Sequence, residues 1–142
     1  MIILDSPVIS SLMQATPDQA VQEWIERQPV PIIFTTSVTV YEIQRGIALL
    51  PEGHRKRRLD AAFAVIITSE FQSRVLSFDS TAARRAAELS ANRTLRGLNI
   101  GWQDTMIAGI ALANGAAIAT RNVKDFRDLG ARVVNPWDAS SG

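Results

Sequence analysis

The sequence predicts an α/β domain, a parallel sheet covered by helices on both faces, and three observations carry that expectation. Short apolar runs alternate with longer stretches of helical pattern from one end of the chain to the other. The runs are apolar throughout rather than alternating with polar residues, as in Ile2-Ile3-Leu4, which is how strands buried on both faces read. Polar residues follow the runs closely, Asp5 after the first and Asn122 and Asp125 after the fourth. In such sheets the carboxyl ends of the strands form one rim, and ligands bind beyond it. The 142 residues fit one domain, expected over residues 1–137, followed by a short polar tail at 138–142 that frays.

The elements follow in order. Residues 2–4 are the first strand, and Ser6 is placed to cap a helix with Pro7 at its first position, where a missing N–H costs nothing. Thr16-Pro17 repeats that signal ahead of a helix reaching about Arg27. Residues 31–35 read as the second strand. Ser37 then caps a helix that Pro51 and Gly53 break after Leu50. Another helix covers residues 54–70. Residues 75–78 are the third strand, Asp79 caps an Ala-rich helix, and 94–101 is a loop holding Gly97 and Gly101. A helix over 102–114 ends at Gly115. Residues 116–120 and 132–134 are the fourth and fifth strands.

Composition narrows the chemistry. At 46% hydrophobic and 20% charged residues the chain should bury a core and not be disordered. A net charge of +1 lacks the basic excess of a dedicated nucleic-acid binder, so any such contact must come from local patches. The absence of cysteine excludes disulfides, thiolate metal sites and a cysteine nucleophile, and the single histidine, His54, excludes a multi-histidine zinc site. A bound metal would take mostly oxygen ligands, which points to Mg²⁺, Mn²⁺ or Ca²⁺. No apolar run approaches the length of a membrane span. The opening turns acidic at Asp5 and has no basic lead, so a signal peptide is not expected and a cytoplasmic location is.

Four acids stand where chemistry can occur. Asp5 sits where a buried strand meets the rim; it can be a capping acid, but Ser6 is available for that role. Glu42 lies among Val38, Val40, Tyr41, Ile43 and Ile47, and can instead pair with Arg45 three residues on. Asp104 is in line with Ile107, Ala108 and Ala111, the apolar stripe of its helix. First-turn acids are favoured by the helix dipole, but an acid aimed inward is costly unless something pairs with it, and a metal ion is one such partner. Asp125 and Asn122 can be turn formers, or can reach a metal directly or through water. Acids converging on one rim suit hard-cation chemistry and phosphodiester hydrolysis. The run His54-Arg55-Lys56-Arg57-Arg58 reads either as a solvated face or as a phosphate-backbone contact, and Trp24, Trp102 and Trp137 read as packing anchors.

Taken together, several segments resemble the PIN domains of VapC and FitB type, the toxin halves of bacterial toxin–antitoxin pairs. They are Ile3-Leu4-Asp5-Ser6-Pro7-Val8-Ile9-Ser10, the stretch from Ser37 through Tyr41-Glu42-Ile43 to Gly46, Phe78-Asp79 and Asp104-Thr105-Met106-Ile107-Ala108. Ala119-Thr120-Arg121-Asn122-Val123-Lys124-Asp125-Phe126 and Val134-Asn135-Pro136-Trp137 complete the set. The resemblance covers nearly the whole chain, and its specificity lies in the order and spacing of the pieces. It implies a PIN-like fold with a five-stranded parallel sheet between helices. It also implies a Mg²⁺- or Mn²⁺-dependent ribonuclease with Asp5, Glu42 and Asp104 as its acids and Asp125 or Asn122 as its fourth polar position. A homodimer is implied as well, inhibited by an antitoxin that wraps it and presents a basic side chain to the carboxylates. The family usually opens Asp-Thr-Asn; here Ser6 keeps the hydroxyl while Pro7 replaces the Asn, which is expected to weaken catalysis but not the fold.

Two other readings compete. A PIN fold that binds RNA or a partner without cutting would also accommodate Pro7. A receiver-like signalling domain would use Asp79 as phosphoacceptor, but it needs an acidic pair near the first strand and a lysine after the fifth, where Asn135-Pro136-Trp137 stands.

Overall fold

The computed structural model describes residues 1–99, 101–126 and 128–138; most of the tail expected to fray, residues 139–142, lies outside the described residues. The elements run β1 (Ile2–Leu4), α1 (Ser6–Leu12), α2 (Gln19–Glu26), β2 (Ile33–Thr36), α3 (Ser37–Ala48), α4 (His54–Val65), β3 (Val75–Leu76), α5 (Ser80–Leu95), α6 (Trp102–Asn114), β4 (Ala117–Ala119), α7 (Val123–Phe126) and β5 (Val133–Val134). The five strands form one parallel sheet in the order β3-β2-β1-β4-β5. The order reverses between β1 and β4, so the crevice where such sheets bind ligands opens beyond the ends of those two strands. The two edge strands are only two residues long, which limits pairing with other chains.

The period-two alternation of β1 divides the core. Ile2 and Leu4 face the layer built by α1 to α4, with Val8, Val21, Trp24, Ile43, Ile47 and Phe63. Ile3 faces the layer built by α5 and α6, with Ala82, Ile107, Ala108, Ile110 and Ala111. Helices α5 and α6 pack so closely that a Cβ on Gly109 would lie 2.6 Å from the Ala82 carbonyl oxygen. Gly115 ends α6 in the left-handed conformation at φ 62°, as its position predicts. Among the described residues no helix is long and apolar enough to cross a membrane.

Several local expectations shift. Asp5, not Ser6, occupies the cap position of α1, which puts Pro7 second in the helix; its N–H would be unpartnered there too. Thr36, not Ser37, caps α3, accepting from the Thr39 N–H at 3.1 Å. The signal at Thr16-Pro17 falls two residues early, since Asp18 precedes α2. A 3₁₀ turn over Val30–Ile32 takes the start of the expected second strand. The helix from His54 ends in a π-helical turn over Ile66–Glu70, and α5 extends to Leu95. Asn122 and Asp125, expected in a loop, lie before and inside the one-turn helix α7.

Candidate active site

Asp5 is fixed at the switch point between β1 and β4. Its N–H donates to the Ala119 carbonyl at 3.0 Å, continuing the sheet one residue past the strand. Its side chain makes no cap hydrogen bond to α1. Oδ2 instead accepts from the Thr120 hydroxyl at 2.8 Å, and Thr120 Oγ1 in turn accepts the Asn122 N–H at 3.0 Å. Because the amide donates into Thr120, the hydroxyl proton is directed at the carboxylate. Asp5 is 3% exposed, and burial raises its pKa. The Ser6 N–H and the Thr120 hydroxyl counter that rise, and the charge of Asp125 adds to it.

Glu42 faces the same rim from α3. The ion pair with Arg45 is not formed; Oε1 accepts the Ser6 hydroxyl at 3.1 Å. Burial raises its pKa, the Ser6 bond lowers it, and the charge of Asp5 raises it.

Asp104 extends from the first turn of α6, and Ile107, Ala108 and Ala111 below it are fully buried. It has no ion-pair or hydrogen-bond partner among the described residues. Burial, then the charges of Asp5, Asp125 and Glu42, push its carboxyl up to about 6. These couplings place all four predicted acids in one electrostatic neighbourhood, with Asp125 as the fourth. Asn122 is exposed and lends the site its backbone N–H. Among the described residues no three acid, histidine or cysteine side chains are spaced to hold a metal ion by themselves.

The basic run does not form one face. Arg55 lines a hollow with Ser6, Ser10 and Glu42, between α1, α3 and α4. Lys56 is paired with Glu52 at 2.8 Å. Arg57 is exposed, and Arg58 borders a separate groove with Leu12 and Val65. Asp79 is engaged as the cap of α5, accepting the Ala82 N–H at 2.9 Å, which removes the phosphoacceptor of a receiver domain. Thr120 and the hydroxyl role of Ser6 toward Glu42 were not assigned from sequence. Thr120 stands in the sequence as a hydroxyl at the end of an otherwise apolar strand and within the segment Ala119 to Phe126, and neither fact singles it out as a partner of Asp5. Trp24 is a core anchor, and Trp137 is bonded to Asp18 at 2.9 Å beneath the Arg121 guanidinium. Trp102 departs from its expected packing role, being 49% exposed against Tyr41.

Comparison with known proteins identifies the family and the fold. Residues 2–131 match the family model described as PIN domain. The chain is 40% identical over 139 residues to the plasmid stability protein StbB of Pseudomonas syringae pathovar tomato, covering 98% of this chain and 100% of that one. It is 37% identical over 138 residues to the VapC ribonuclease Y4jK of Sinorhizobium fredii, covering 97% and 99%. The fold superposes on a structure of FitAB bound to an IR36 DNA fragment with a TM-score of 0.86 and 31% identity, covering 96% of each chain. By sequence and by fold, the chain belongs to the PIN-domain family, in the group of VapC and FitB.

Proposed function

We propose that the chain is a metal-dependent endoribonuclease, the toxin of a toxin–antitoxin pair, hydrolysing RNA phosphodiesters at its carboxylate rim. The observation that carries this reading is Asp104, half-buried, unpartnered among the described residues and held near 6 by burial and three other acids. Such mutual repulsion opposes folding and is relieved by a cation. The donor set is all oxygen, and Mg²⁺ needs only one or two carboxylates directly with waters completing its shell. That requirement is compatible with a site in which no three acids are pre-gathered. Asp5 and Asp104 would hold Mg²⁺ or Mn²⁺, with Glu42 and Asp125 reaching it directly or through water. When bound, the cation supplies Lewis-acid stabilisation of the charge that builds on the phosphate.

The chain's own groups prepare that site. Thr120 orients Asp5 Oδ2, and Ser6 orients Glu42 Oε1. Burial and the neighbouring acids favour a proton on the Asp104 carboxyl more than on an exposed aspartate, and that proton would have to leave before the carboxylate could hold a cation. Arg55, in the hollow shared with Glu42, is the member of the basic run best placed for a phosphate. Kinship with VapC and with the FitAB assembly brings the cognate antitoxin into the proposal, and a second copy of the chain as dimer partner. Leu95, the 87% exposed last residue of α5, and Leu98 just beyond that helix leave apolar surface for such contacts.

The test is cleavage of structured RNA by purified protein. Cutting is expected with Mg²⁺ or Mn²⁺ and none with EDTA. Asp104→Asn should abolish it with the fold intact, because an amide brings no negative charge. Undiminished cleavage by that variant would remove Asp104 from the site.

A further inference from the structure

Beside the carboxylates lies a second hollow, of about 430 Å³, lined by Tyr41, Glu42, Arg45, Trp102 and Gln103. Its volume is in the range of small-ligand pockets, roughly 300–1,000 Å³. Two large rings stand at its mouth, Tyr41 at 52% and Trp102 at 49% exposure, with centroids 6.0 Å apart and planes inclined at 57°. Trp102 is the first residue of α6, and its ring neighbour among the described residues is Tyr41; beside Val38 the two rings border the core but remain about half exposed. The inclination rules out a parallel sandwich around a flat guest. One ring can stack on the guest while the other closes against its edge.

The remaining lining is polar and complementary to a nucleotide. Arg45 has no ion-pair partner among the described residues and can meet a phosphate. The Gln103 amide both donates and accepts, which suits the edge of a base. Glu42 forms a wall of this hollow while bonded to Ser6 at the carboxylate rim, so the two spaces are contiguous.

We propose that Tyr41 and Trp102, with Gln103 and Arg45, hold one unpaired base of the RNA next to the phosphate that is cut, making these aromatics positioning residues for single-stranded substrate. The inference rests on the ribonuclease reading above and adds a base-binding subsite to it. Stacking of this kind tolerates any base, because every base has a π-face. The subsite therefore selects for unpaired RNA, and Gln103 supplies whatever base preference exists.

The experiment uses the full-length Asp104→Asn protein, which should not cut, with short single-stranded RNAs in which one abasic ribose is moved along the strand. Affinity should fall about tenfold when the abasic ribose reaches one particular position, in keeping with the usual contribution of a stacked base. Adding Trp102→Ala should weaken the intact strand by a similar factor and flatten the positional profile, and Trp102→Phe should restore most of both. In the otherwise wild-type enzyme, Trp102→Ala should raise KM with kcat largely kept. A flat profile with Trp102 present, or an unchanged dip with Trp102→Ala, would overturn the proposal. So would a Trp102→Ala variant that only changes from dimer to monomer in light scattering, which would assign the rings to contact between copies. Cleavage by the wild type together with a flat profile would reject the subsite alone; a Trp102-dependent dip without cleavage would reject the nuclease reading alone.

Discussion

The two sides of the carboxylate rim are built in opposite ways. On the β1–β4 side, Asp5 is almost wholly buried, tied by its backbone to Ala119 and by its side chain to Thr120, which is itself held by Asn122. On the α6 side, Asp104 is only half-buried and has no polar partner among the described residues. One acid is oriented before any ligand arrives; the other is left facing its like charges. The difference teaches that the fold supplies position on one side and electrostatic demand on the other. A cation that uses both reads the pinned acid for geometry and relieves the free one.

Breaking the pinned side should give the largest effect. Thr120→Val keeps the shape but leaves Asp5 Oδ2 without its hydroxyl donor and the Asn122 N–H without its acceptor. Leaving the buried Asp5 carboxylate without that donor costs about 1–3 kcal/mol of stability. Loss of a contact that orients a metal ligand typically lowers metal affinity or activity by roughly 10–100-fold. Denaturant unfolding and a metal titration of cleavage would measure the two, and Thr120→Ser should recover most of both. Full activity in Thr120→Val would mean that Asp5 is oriented by the β1–α1 backbone alone.

The free side predicts a pH dependence of smaller size. The Asp104 carboxyl is raised from its ordinary 3.8 to about 6. A raised acid favours the fold below its unfolded value, and that contribution is lost as pH climbs through the folded value. Metal-free protein should therefore lose stability from this group between about pH 4 and pH 6, relative to Asp104→Asn. Allowing for the solvent that screens a half-exposed carboxylate, the difference should be about 1 kcal/mol. At pH 7.5 without metal, Asp104→Asn should melt above the wild type, the gap should narrow toward pH 4, and Mg²⁺ should favour the wild type. A gap independent of pH would show that repulsion at Asp104 is already relieved within the protein.

The same contrast explains what was legible in the sequence. Asp104 declared itself locally, because an acid in register with Ile107, Ala108 and Ala111 conflicts with the helix it belongs to. Asp5 was legible from its place at the end of an apolar run. Their partners were not: Thr120 lies 115 residues from Asp5, and Ser6 lies 36 from Glu42, distances that only the strand order closes. The helix caps slipped by a residue at Ser6 and Ser37 for a related reason. In each place a polar residue precedes the serine, and the serine side chain is used in tertiary contacts, Ser6 with Glu42 and Ser37 with the Phe78 N–H. Trp102 was read as a packing residue because indoles usually are, and sequence carries no sign of which helix end is left uncovered.

Pro7 should give the smallest effect and the sharpest reading of how the pinned side is ordered. The family pattern has an Asn there, and its absence led to the expectation of a weaker enzyme. The structure sets Pro7 second in α1, where its ring suits the backbone and no intrahelical N–H bond is lost, so the fold carries no penalty. The residues on either side show why the catalytic penalty should also be modest. Asp5 already takes the Thr120 hydroxyl, and Glu42 already takes the Ser6 hydroxyl, so an amide at position 7 would add a contact to groups that are held. Pro7→Asn is expected to raise metal-dependent cleavage by less than the roughly tenfold lower bound typical of such contacts, with little change in melting temperature. In the Thr120→Val background the same substitution should help more, because Asp5 then lacks its donor. A gain of equal size in both backgrounds would show that residue 7 acts elsewhere than on Asp5. A hundredfold gain in the wild type would show that the pinned side is much less ordered than its two hydroxyl bonds imply.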